Sequence, residues 1–177
     1  MKDRFYRLPA LLAVLVVISL SRPGYAESDF DYTGVFFKTF MTACMPAAHS
    51  RTPIDLPEFI KMPDQLAQLW LGGKPGAVWQ VDATHEVLLV SPANFHCYVV
   101  SKLGDVDDLE QRVRKAFDPS VSEFTTDAFE RADDGGFTAS YSRDNADGTQ
   151  RRVLIKARPP AEGRIQLVAT AAITKSK

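Results

Sequence analysis

The stretch NFHCYVVSKLG, residues 94–104, sets Cys97 beside His96 in a run that otherwise reads as a buried strand. A cysteine there has three chemical uses: activated thiol, metal ligand or disulfide. A nucleophilic thiol needs a nearby cation or helix N-terminus to keep it deprotonated. Neighbouring side chains on a strand point to opposite faces, so His96 aims away from Cys97. Zinc wants closely spaced ligands, whereas the second cysteine, Cys44, is distant and neither belongs to a CxxC pair. A disulfide asks only for an oxidising compartment and a fold that brings the two sulfurs together.

Other chemistry-bearing residues are sparse. His49, His85 and His96 are the only histidines, with no HExxH and no pair at metal spacing. Ser91, Ser101 and Ser140 lack the GxSxG elbow that would expose a nucleophile. DNADG, residues 144–148, suggests a calcium loop, but the first ligand position would hold Arg143 and the closing glutamate position Leu154; a hairpin turn fits better. GGKPG, residues 72–76, lacks the spacing of a phosphate-binding loop. Asp105, Asp107, Asp108 and Glu110 sit at a helix start, where the macrodipole favours negative charge without any catalytic purpose. Glu123 and Asp127 form a candidate carboxylate pair whose separation no sequence fixes. Neither a metal nor a cofactor is implied. The catalytic reading left open is a small hydrolase with a histidine and carboxylate site around His85, His96 and Glu86.

The compartment decides among the uses of cysteine. Lys2, Arg4 and Arg7 make a basic head, Ala10 to Leu20 an apolar run, and Pro23 to Ala26 a small-residue exit. That is the pattern of a secretory signal peptide over residues 1–26, with cleavage after Ala26. The run is about half of the ~20 residues a spanning helix needs, so no stable membrane span is expected after cleavage. Residues 27–177 then form one periplasmic or secreted domain carrying 17 basic and 21 acidic residues. The basic residues are scattered, with QRR at 150–152 the densest cluster and read as solvated surface. A nucleic-acid partner, which would need a basic stripe, is not expected. In an oxidising compartment Cys44 and Cys97 are most simply a disulfide.

The elements must position that pair. Val35, Phe36, Phe40, Ala43 and Cys44 recur at helical steps over residues 31–48, with Pro46 helping to close the helix. Two short helices follow, around Asp55 to Met62 and Pro63 to Leu71, the second turning Leu66, Leu69 and Trp70 inward. The period then changes to two: strands over 77–82, 84–91 and 94–101, a helix capped by Asp105 and ended by Pro119, then strands near 121–131, 137–143, 150–158 and 164–173. The fold class is α+β: an antiparallel sheet of about seven strands with N-terminal helices and one mid-chain helix packed mainly on one face. Phe95, Cys97, Val99, Phe137, Ala139, Tyr141, Val153, Ile155, Ile165, Leu167 and Ala169 are the inward set. Cys97 on that face then meets Cys44 on the covering helix.

The opposite face carries Leu88, Val90, His96, Tyr98, Val100, Leu154 and Val168, more apolar than water requires. Either the short helices between 55 and 71 cover it, or it is a recognition surface centred on Leu88, His96, Tyr98 and Val100.

FMTACMP at the end of the first helix, GAVWQV entering the first strand and CYVV in the third strand resemble a family of small, functionally uncharacterised exported bacterial proteins. The resemblance spans about residues 34–117 and implies a two-cysteine α+β domain without an assigned activity. The expected function is a non-catalytic binding module of the periplasm, recognising an envelope protein or a small apolar ligand through a sheet face.

Overall fold

The computed structural model describes residues 30–51, 54–93, 96–161 and 163–175. The signal segment, residues 1–26, and Phe95 of the expected inward set lie outside the described residues.

Asp31 caps the first helix, its carboxylate accepting from the Gly34 N–H at 2.6 Å. One helical run follows: α1 (Tyr32–Thr39), a π-turn (Phe40–Cys44) and α2 (Met45–Ser50). Pro46 therefore does not close the helix. In a regular α-helix its ring would crowd the Thr42 carbonyl four residues back. The wider π-turn, closed by the Met45 N–H on the Phe40 carbonyl, makes room and lets the helix continue.

The segment from Ile54 forms no helix. Pro57 and Pro63 bracket too few residues for one to nucleate, and Pro63 pushes Met62 toward extended backbone. Ile60 and Lys61 instead become β1 (Ile60–Lys61), which takes the free edge beside Trp79 and Gln80. That short edge raises the expected seven strands to eight.

After α3 (Asp64–Leu71) come β2 (Gly76–Gln80), β3 (Val87–Pro92), β4 (Cys97–Ser101), α4 (Val106–Ala116), β5 (Thr125–Arg131), β6 (Phe137–Asp144), β7 (Thr149–Ala157) and β8 (Leu167–Lys175). The strands make one antiparallel sheet in the order β1-β2-β3-β4-β8-β7-β6-β5. Two meanders thus join where β8 lies beside β4, and α4 is the crossover between them.

The larger core lies between the sheet and the pair formed by the N-terminal helix and α4. Phe36, Phe40, Leu109 and Val113 pack there on Leu89, Val99, Ile155, Leu167 and Ala169. Cys44 and Cys97 are bonded at its centre, buried, with Cα atoms 5.2 Å apart. Thr33 Oγ1 accepts from the Asp105 N–H at 2.8 Å, fastening the start of α4 to α1. Ile165 departs from the inward set: it precedes β8 in irregular backbone and packs on the other side of the sheet.

That other side is where helix placement differs from the expectation. α3 lies across it, closing a second, smaller core of Met62, Ala67, Leu71, Val78, Leu88, Val90 and Val100. Leu71 and Ala67 are the residues turned in, while Leu66 and Leu69 are 53% and 80% exposed. Ala67, four residues before Leu71, lets the helix backbone approach the sheet; the bulkier stripe of Leu66 and Leu69 would hold it away.

Candidate functional site

The second face of the sheet divides into two halves. Over β2, β3 and β4 it is covered: Leu88 and Val100 are only 5% and 4% exposed beneath α3. The Tyr98 hydroxyl donates to the Trp70 carbonyl at 2.5 Å, satisfying one of the carbonyls that the last turn of a helix leaves open. Burial pushes the Tyr98 hydroxyl up from its ordinary pKa, which keeps it in the neutral, donating form. Leu88 and Val100 are thus core residues rather than a surface, and Tyr98 is a fastener for α3. The expectation of a recognition surface centred on them gives way to the covered reading, because α3 reaches this face and its apolar side needs burial.

Past β4 the covering thins: Val168 of β8 still packs against the smaller core, and Leu154 of β7 does not. The register carries the row of Val90 and Tyr98 on to Thr170, Leu154 and Ser140. The next row runs from Val100 through Val168 to Lys156 and Thr138. Leu154 stands 39% exposed at the middle of this half, with Arg152 and Lys156 exposed two residues to either side on the same face. Asp127, displaced by a bulge in β5, accepts from the Ser142 hydroxyl at 2.6 Å and lies 3.9 Å from Arg152. The open half is a field of Ser, Thr and Ala around one exposed leucine and two cations.

The three residues of the catalytic alternative are not brought together. His85 and Glu86 lie in the turn before β3, and Glu86 faces Lys102 at 3.4 Å. Val87 pairs with Ser101 and Val90 with Tyr98, so His96 precedes β4 at the other end of the hairpin. A five-residue strand separates them, roughly 17 Å. Glu123 and Asp127 are likewise committed elsewhere, Glu123 to Arg143 and Asp127 to Ser142 and Arg152. Among the described residues no group of three or more His, Cys, Asp or Glu is placed to hold a metal ion, and no helix is long and apolar enough to cross a membrane.

A shallow depression of about 260 Å³ lies beside the turn between β5 and β6 and is lined by Glu130, Arg131, Asp134, Lys156 and Arg158 among others. Its charged walls suit water or a polar group rather than an apolar ligand.

One arrangement escaped the sequence reading. In QRR, strand alternation sends Arg152 outward but Arg151 to the core face, at the sheet end below α2. The alternation carries the signal: Val153 and Ile155 read as inward, and Arg151 shares their parity.

Comparison with known proteins finds no family model, no curated protein and no solved structure that the chain matches.

Proposed function

We propose that the chain is an exported, non-catalytic domain that docks an envelope protein against the open half of its second sheet face. The observation that carries this is that the smaller core under α3 reaches no further than Val168 of β8, which leaves Leu154 of β7 39% exposed beyond it. A buried disulfide suits an oxidising compartment, in line with the secretory pattern of the first 26 residues and with the resemblance to small exported two-cysteine proteins. The character of the face selects the occupant. Leu154 is a single exposed apolar side chain among polar ones and not an apolar pocket, so a protein surface fits it better than a small apolar ligand, and Arg152 and Lys156 beside Leu154 call for an apolar spot flanked by carboxylates.

The test is affinity capture from an envelope fraction under non-reducing conditions, with wild type and Leu154→Glu compared. Recovery of one acidic-surfaced partner by wild type and its loss with Leu154→Glu, at unchanged melting temperature, is the expected result. Equal recovery by both chains overturns the assignment of this face.

A further inference from the structure

The end of the sheet below α2 gathers more positive charge than its neighbours neutralise. Arg143 and Arg151 are directly opposite each other on β6 and β7. Both share the parity of Tyr141 and Val153, the last buried pair of the core face, so both guanidinium groups lie on that face. Like charges facing each other across strands are destabilising. Arg143 is held by Glu123. Arg51, at the C-terminus of α2, donates to Asp147 at 2.9 Å and to the Thr149 hydroxyl at 3.3 Å. Three guanidinium groups therefore meet two carboxylates, and Arg151 is the one that makes no close ion pair among the described residues, Glu123 and Asp147 acting on it from farther off. The Nη2 of Arg151 is 3.2 Å from His49 Nε2. Its Nε is shielded from solvent and has no hydrogen-bond partner.

We propose that this place is an anion site in which Arg151 and Arg143, with His49 beside them, bind a compact tetrahedral oxyanion of the phosphate class. Two guanidinium forks rise from directly opposite positions of adjacent strands, where Cβ atoms stand about 5 Å apart, and the several oxygens of a phosphate can accept from both. A carboxylate, with two oxygens in one plane, serves one fork at a time, as Glu123 already does for Arg143. The bound anion would accept from the outer guanidinium N–H groups and screen the facing pair. Loss of hydration, then the neighbouring Arg143, lowers the Arg151 pKa, and the opposing pull of Glu123 and Asp147 only partly offsets this. The site is on the opposite face from Leu154 and does not depend on the docking proposal.

The experiment is calorimetric titration of the oxidised mature protein with inorganic phosphate at fixed ionic strength, with acetate as the comparison. Wild type is expected to bind phosphate saturably and acetate at least tenfold more weakly. Arg151→Gln should lose at least tenfold in phosphate affinity, whereas Arg152→Gln, one residue away on the other face, should keep it. Should Arg151→Gln fail to fold, Arg151→Lys keeps the charge without the planar fork and should still lose several-fold. Absence of saturable binding, acetate binding as tight as phosphate, or equal loss in Arg151→Gln and Arg152→Gln would each overturn the site.

Discussion

Tyr98 and Leu88 look alike in the sequence as members of an apolar face, but the structure gives them different duties. Tyr98→Phe keeps the ring and removes only the hydrogen bond to the Trp70 carbonyl, so a loss of about 1 kcal/mol in urea-unfolding stability is expected. Leu88→Asp places an unpaired carboxylate under α3 and should cost on the order of 4 kcal/mol, whereas Leu154→Asp on the open half should cost under about 1. Glu110 makes a prediction in pH. Its burial opposes ionisation, but hydrogen bonds from Arg131 and Arg114 outweigh that and hold the carboxyl below its ordinary value of 4.5. A carboxyl with a depressed folded pKa contributes stability that is present above the unfolded value and lost as pH falls through the folded one. Between pH 7 and pH 3 the urea midpoint of Glu110→Gln should therefore fall less than that of wild type. An equal fall in both would show that the network around Glu110 contributes nothing to acid sensitivity.

At the scale of elements, what the chain announces depends on whether local signals agree. α4 was legible because they do: Asp105 accepts from the Asp108 N–H at 2.7 Å, and Val106, Leu109, Val113 and Phe117 make one narrow stripe. The strands were legible by their period of two, and Cys97 fell on the correct face for the same reason. The destination of α3 was not legible, since eight residues present two competing stripes and neither says which side of a sheet will receive it. The candidate site shared that uncertainty, because its cover is α3 itself. β1 was hidden for another reason: two residues recruited by an open edge carry no periodicity of their own. The joint between α3 and the sheet can be probed at Gly76, whose φ of 156° is confirmed by crowding: a Cβ there would meet the Ser91 carbonyl oxygen at 2.5 Å and Pro92 Cα at 2.8 Å. Backbone cannot yield as a side-chain tip does, so Gly76→Ala should lower stability by about 2 kcal/mol. The same exchange at Gly148, where a Cβ meets nothing but the positive φ of 74° is strained, should cost about 1.

For the molecule as a whole, one sheet separates two cores of unequal size, and only the larger contains the disulfide. Cys44 and Cys97 are 53 residues apart in sequence, so their bond lowers the entropy of the unfolded chain by an amount equivalent to about 4 kcal/mol in the loop-closure model. Reduction should lower the urea midpoint accordingly, and the sheet decides how far the effect reaches. β2 sends Trp79 into the larger core and its neighbour Val78 into the smaller one, while Trp70 rides on α3 at the edge of the smaller. Since consecutive residues of the same strands build both layers, neither core can open without removing a wall of the other. The chain has two tryptophans, so Trp70→Phe leaves a reporter on one face and Trp79→Phe a reporter on the other. For each variant, fluorescence and far-ultraviolet dichroism should give coincident unfolding curves, oxidised or reduced. If reduction instead separates the Trp79 signal from the dichroism while the Trp70 signal keeps the oxidised midpoint, the smaller core stands alone and the sheet is not the shared wall described.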